Sequence, residues 1–192
     1  IRDLTVTGVQ TCALPISHWG LPTARKRWFA CSFRQGLPVR PLEWPDFKKP
    51  PVHIRSVLLP EERVQNLYVS DSQFVEAVRK RPRDPYSPMM LGYMLKMFKD
   101  RMVMGIDAPA PTFMAGIGGP GGPSGLYRMD DGKIRTLHPI EMLAAMGFPK
   151  GYHMPYRSYR GGRLVGNSLC PPVARSVLAM ALKAMAGEEV PS

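Results

Sequence analysis

The sequence predicts an α/β fold, and three local signals carry that expectation. Trp28-Phe29-Ala30-Cys31-Ser32-Phe33 is a nearly continuous apolar run after a Gly-Leu-Pro turn. It reads as a buried strand in a sheet covered on both faces. Pro171-Pro172 opens a helix that runs to about Ala186, with Gly187 beyond it. Val173, Val177, Ala181 and Ala184 repeat on one face of that helix, Leu178, Leu182 and Met185 widen the face, and Arg175 and Lys183 fall off it. Between these elements, Asp130-Asp131-Gly132 is a hairpin-type turn joining Leu126–Met129 to Lys133–Arg135.

The other elements follow in chain order. Residues 35 to 51 are Pro-rich and read as an extended connector. Val52 to Leu59 reads as a strand or an edge segment. Ser70 with Gln73 forms a capping-box pattern before a helix through about Arg81, with Phe74, Val75 and Val78 as its stripe. Arg79, Lys80, Arg81 and Arg83 make a basic run at its end. Met89 to Met104 is rich in methionine and fits a core role as helix or strand. Ala115 to Gly125 is a loop of glycine, proline and small residues. Pro139 opens a helix with His138 before it, Glu141 in its first turn and Gly147 as its stop.

Length and charge bound the function. The 192 residues suffice for one domain with a modest core. Against 15 Asp and Glu stand 26 Lys and Arg, a net charge of +11. Such an excess suits a polyanionic partner, because cations near phosphates release condensed counterions. The three cysteines, Cys12, Cys31 and Cys170, form no paired framework, which fits a reducing compartment. No Cys and His cluster has metal-ligand spacing, and no apolar run reads as a bilayer span.

Two constellations are candidates for chemistry. Arg25 and Arg27 lie two apart in extended chain, so their side chains point the same way. Two guanidiniums on one side call for an anion or a carbonyl-rich ligand between them; a solvated basic turn is the alternative. Asn167 and Ser168 precede a Pro-initiated helix and form a polar binding edge, or simply cap that helix. The run Gly116 to Gly121 matches a dinucleotide-binding pattern by letter only, since no helix opens after it. Its bare backbone fits close approach to another surface or a plain surface loop. Cys170, at a helix start, reads as a small packed residue and not as a nucleophile.

The order of four motifs carries a family resemblance. Gly20-Leu21-Pro22-Thr23-Ala24-Arg25-Lys26-Arg27 is followed by Arg135-Thr136-Leu137-His138-Pro139-Ile140-Glu141. Then come Met146-Gly147-Phe148-Pro149 and Val165-Gly166-Asn167-Ser168-Leu169-Cys170-Pro171-Pro172-Val173. Together they resemble the eighth, ninth and tenth motifs of the cytosine-5 DNA methyltransferases, over most of residues 18 to 186. Thr23 stands where the family's eighth motif usually has Gln.

The resemblance implies the C-terminal part of a Rossmann-like methyltransferase domain with an inserted, irregular target-recognition region. Residues 18–50 would end the catalytic domain, 51–134 would form the recognition region, 135–187 would return to the catalytic domain, and 188–192 would be a tail. The implied activity is methyl transfer from S-adenosylmethionine to C5 of cytosine in duplex DNA, the target base being flipped out. The implied site residues are Arg27, donating to O2 of the flipped cytosine, Arg25, holding the nearby catalytic groups and the sugar-phosphate, and Asn167 and Ser168 at the cofactor. For DNA they are Thr112, Gly118, Gly119, Gly121 and Gly122, and no metal or membrane is implied. The family's Pro-Cys-Gln, Glu-Asn-Val and Phe-x-Gly-x-Gly motifs are absent, so a missing N-terminal catalytic half is an expected partner and the fragment alone should not turn over.

The implied location is a bacterial or phage-infected cytoplasm, on DNA, within a restriction-modification system or outside one. Two other readings stand beside this one: a non-catalytic DNA-binding module or half of a split methyltransferase, and an unrelated basic α/β domain. Val6 to Ile16 resembles a translated short-read sequencing adapter, so residues 1–17 are expected to be an assembly artefact, although their letters are also compatible with β structure.

Overall fold

The structure is a computed structural model, and it describes residues 6–44, 48–69, 89–91, 101–114, 124–154 and 159–186. The helix expected over 70–81, its basic run and the recognition glycines Gly118, Gly119, Gly121 and Gly122 lie outside those residues. The described fold is mixed α/β. Strands β1 (Val6–Pro15) and β2 (Lys26–Arg34) form an antiparallel ribbon, with a register shift between Val6 and Val9. Four short strands form a second sheet in sequential order: β3 (Met89–Leu91), β4 (Arg101–Gly105), β5 (Leu126–Arg128) and β6 (Ile134–Arg135). Within it β4 and β5 run parallel, and the other two pairings are antiparallel.

Three helices follow: α1 (Pro139–Ala145), α2 (Tyr159–Asn167) and α3 (Pro171–Ala186). Residues from both ends of the chain share one core, including Leu14, Ile16, Ile106, Phe113, Tyr127, Met142, Met146, Val165 and Val173. Residues 6–15, which resemble the adapter, thus form β1, and Leu14 at its end is a core residue.

Local signals carried most elements. Gly132, at φ 83°, closes the turn between β5 and β6, and Gly132 N–H bonds to the Met129 carbonyl at 3.0 Å. At the start of α1, His138 Nδ1 accepts from the Ile140 N–H at 3.2 Å, while Glu141 reaches back to the His138 N–H at 2.7 Å. The described residues between Gln35 and Pro51 form no helix or strand, and a turn follows Arg34.

Four expectations need correction. The run Trp28–Phe33 is not covered on both faces. Phe29, Cys31 and Phe33 pack against the core, whereas Trp28 on the opposite face is 77% exposed. A two-stranded ribbon has one face to spare, so alternation and not continuity describes its burial. Val52 to Leu59 forms a 3-10 turn at Ile54–Val57 instead of a strand. Its backbone N–H groups at Ile54 and Arg55 bond to the carbonyls of Ala108 and Ile106 at 2.9 and 3.0 Å. On α3 the buried stripe is Val173, Val177, Met180 and Ala184, while Leu178 and Leu182 are each 64% exposed. The widening residues thus point away from this chain's core.

The fourth correction is α2, which the sequence did not predict, because Gly161, Gly162 and Gly166 lower its intrinsic helix propensity. The same three glycines, with Val165, make its buried face, where the lack of side chains permits close packing. With α2 added, residues Arg160–Ala186 meet the length and composition of a membrane span. The path is broken at residues 168–170, which leaves α3 at 16 residues, about 24 Å long.

Candidate functional site

Three distant segments meet at the Arg25 side chain. Gly20, at φ 74°, ends the 3-10 turn Ile16–Trp19 and aims the chain into Leu21–Arg27. That segment pairs with Ala110: Ala24 N–H bonds to the Ala110 carbonyl at 2.7 Å and Ala110 N–H bonds to the Pro22 carbonyl at 2.9 Å. This fixes Thr112 and Phe113 alongside Arg25. Arg25 is 2% exposed. Its Nη1 donates to the Phe113 carbonyl at 3.2 Å, and its Nη2 donates to the carbonyls of Gly166 at 2.8 Å and Ser168 at 3.1 Å.

The carbonyl-rich ligand expected at Arg25 is therefore the protein's own main chain. The Arg25 guanidinium is thus buried, with both terminal nitrogens engaged by main-chain carbonyls. Gly166 and Ser168 sit at the C-terminus of α2, where unpaired carbonyls carry partial negative charge. That field compensates a buried cation without a carboxylate. Burial, and after it the charge of Arg27, lower the Arg25 pKa to about 10. The guanidinium stays ionised at neutral pH. Arg25 Nε and the Thr23 hydroxyl are buried without a hydrogen-bond partner among the described residues.

Arg27 is half-buried, and its Nη1 donates to the neighbouring Lys26 carbonyl at 2.7 Å. Burial also lowers its pKa. The remaining guanidinium N–H groups are available, since no other described residue accepts from them. Asn167 ends α2 and is exposed, with its amide unengaged by any described residue. It does not cap the next helix, because α3 starts four residues later and its first turn closes on the Cys170 carbonyl at 3.0 Å. Ser168 is half-buried and donates its hydroxyl to the Val165 carbonyl at 2.7 Å.

Two neighbours complete the geometry. Cys170 is fully buried and its thiol donates to the Met146 carbonyl at 2.7 Å. Burial pushes its pKa up to about 12, so it holds its proton and offers no thiolate. Gly147 has φ 75°, and a Cβ there would meet Pro172 Cγ at 2.9 Å and Leu21 Cδ2 at 3.0 Å. From sequence this glycine reads as a helix stop and as a letter of the Met146–Pro149 motif. Its larger role, as the contact between three motifs, has no signature beyond the letter. Gly147→Ala should cost about 2–4 kcal/mol, from the left-handed backbone and from overpacking a rigid proline ring. Urea denaturation of the two proteins measures it; a loss below 1 kcal/mol would mean that the three segments part easily.

Arg135 and Glu141 form a second buried hub. Both are almost fully buried, and the pair is bidentate, with both N–O distances 2.8 Å. Glu141 also accepts from the N–H groups of Leu59 at 2.6 Å and His138 at 2.7 Å. One carboxylate thus ties the 51–69 segment to the β6–α1 corner. An edge interaction adds to it: Val69 N–H bonds to the Ile134 carbonyl at 2.8 Å and Thr136 N–H to the Leu67 carbonyl at 3.2 Å.

Known proteins resemble this chain in sequence and in fold. The chain is 25% identical over 151 residues to the type II methyltransferase M.HhaI of Haemophilus parahaemolyticus, an alignment spanning 79% of this chain and 46% of that protein. The crystal structure of S. pombe Dnmt2 methyltransferase superposes with a TM-score of 0.63 at 16% identity, covering 95% of this chain and 59% of that one. The Entamoeba histolytica methyltransferase EhMeth gives a TM-score of 0.57 at 14% identity, covering 95% and 55%. The chain thus spans about half the length of these relatives. The family model described as C-5 cytosine-specific DNA methylase matches residues 8–183, and the chain belongs to that family.

Proposed function

We propose that this chain is the C-terminal portion of a DNA cytosine-5 methyltransferase. In this reading it carries the target-recognition region and the closing edge of the active site, within a Rossmann-like domain completed by an upstream half. The observation that carries the reading is the Arg25 clamp. It joins the eighth-motif segment to the Asn167–Ser168 edge, which brings the proposed base-contacting arginine and the proposed cofactor edge into one neighbourhood.

Each side chain has a defined task in this reading. Arg25 positions, by holding Phe113, Gly166 and Ser168 together. Arg27, with unspent donors and partial burial, stabilises negative charge on the target ring at O2. Thr112, next to the clamped Phe113, faces the DNA together with the glycine-rich sequence that follows it. S-adenosylmethionine supplies an electrophilic methyl group when bound. Asn167 fits that cofactor best, as an exposed amide with no partner among the described residues, whereas the Ser168 hydroxyl already donates inward and offers only its lone pairs. Nucleophilic addition to the cytosine ring falls to the upstream half, since Cys170 keeps its proton. The exposed row Leu178, Leu182 and Met185, opposite the buried face of α3, suits coverage by that half.

The test is completion. The chain is expressed together with its upstream coding sequence, and transfer of a labelled methyl group to cytosine in duplex DNA is measured. An upstream frame that carries Pro-Cys-Gln and Glu-Asn-Val and yields methylated cytosine supports the reading. An upstream stop codon followed by a start codon, with DNA binding but no methyl transfer, would favour a non-catalytic DNA-binding module.

A further inference from the structure

A cleft of about 360 Å³ opens at the second hub, lined by Leu59, Arg63, Asn66, His138 and Ile140. None of these residues belongs to the Arg25 site. Its walls come from segments more than 70 residues apart, and the Glu141 carboxylate locks them in register by bonding to the N–H groups of both Leu59 and His138. The cleft is thus preformed and not dependent on surface rotamers alone. Arg63 and Asn66 lie on successive 3-10 turns, Glu61–Arg63 and Gln65–Leu67. Both are exposed, and neither side chain is engaged by a described residue.

Among the described residues no carboxylate pairs with Arg63. Glu61, two residues away, is taken by Lys133 at 2.6 Å, which also holds Asp131 at 3.1 Å and lies over the Tyr68 ring. Glu62 is adjacent in sequence but a third of a turn away on the 3-10 helix. His138 accepts at Nδ1 from the Ile140 N–H, which fixes its ring at the edge of the cleft. A recess with a guanidinium and a carboxamide for donors, on a chain of net charge +11, matches an anionic ligand rich in acceptors.

We infer that this cleft holds a backbone phosphate of nucleic acid, with Arg63 as the charged contact and Asn66 as the orienting one. The inference rests on the DNA-directed reading above and adds to it a contact on the corner where the recognition segment meets β6 and α1. Phosphate contacts of this kind set register on a duplex and leave sequence readout to other residues.

Fluorescence anisotropy of the full chain with a labelled duplex, over a salt series, tests it. Arg63→Gln should weaken binding about five- to tenfold at low salt and reduce the log–log salt slope by about 0.9. Asn66→Ala should weaken binding less and leave the slope unchanged. Both residues are exposed, so both variants should fold as the parent does. If the parent binds duplex DNA with a salt slope and both variants bind identically to it, the cleft assignment fails while the DNA-directed reading stands. If the parent binds no duplex at all, both fall. The Asn66 side-chain amide resonances identify the source of the phosphate. A shift with duplex that inorganic phosphate at equal phosphate concentration does not reproduce supports a backbone contact. An equal response to inorganic phosphate would make this a small-anion site and overturn the inference.

Discussion

Glu141→Gln lowers the stability of the folded chain by about 3–5 kcal/mol, the range for removing one partner of a buried ion pair. The carboxylate accepts four hydrogen bonds, two from Arg135 and one each from the Leu59 and His138 N–H groups. That fills its acceptor capacity. Glutamine keeps the shape but turns one oxygen into a donor, which must then face another donor. It also strands the Arg135 charge, which is 1% exposed and close to no other described carboxylate. The loss is measurable by chemical denaturation. Its signature is specific: hydrogen exchange at Leu59 and Val69 should accelerate before exchange in α3, because the variant frees the 51–69 segment first. A loss under 1 kcal/mol with unchanged exchange would show that packing, and not the ion pair, holds that corner.

In the completed enzyme, Arg27→Ala should lower kcat by about 10²–10³-fold, the cost of removing one donor aimed at developing charge. DNA affinity should change only a few-fold. The asymmetry follows from differential binding: a contact that strengthens as the ring gains charge contributes to the transition state more than to the ground state. Arg27 suits this role better than Arg25, because Arg25 has no surface left to offer. Single-turnover rates and duplex affinity, measured on the same variant, separate the two effects. Equal losses in rate and affinity would reduce Arg27 to an ordinary phosphate contact. Arg25→Ala would not discriminate, since loss of the clamp disturbs three segments at once.

Sequence revealed those parts of the fold whose causes are local. The Asp130-Asp131-Gly132 turn, the His138-Pro139 start of α1 and the Pro171 start of α3 rest on backbone preferences of a few neighbouring residues. Burial was less legible, because it depends on what lies opposite. Trp28 and Leu178 are apolar letters on faces left exposed among the described residues. Helix α2 was hidden by its glycines, which disfavour a helix in isolation and favour it once another element packs closely. At the site, the arginine pair was legible from spacing and from the resemblance. Its partners were not, because the Phe113, Gly166 and Ser168 groups that bind Arg25 are main-chain carbonyls, which every residue has. Arg63 and Asn66 left no mark in the sequence at all, since their cleft exists only through the Leu59–Glu141 tie.

The Arg25 clamp also has a kinetic consequence. Its three acceptors lie 88, 141 and 143 residues along the chain. A guanidinium cannot reach them until those long loops have closed, and early collapse leaves it a bare cation seeking oxygen. Loop closure of that span must precede the reward, which places this contact among the last to form and slows the whole topology. Refolding of the chain should accordingly show a late phase that weakens when Arg25 is shortened, while early formation of α3 proceeds at its own pace.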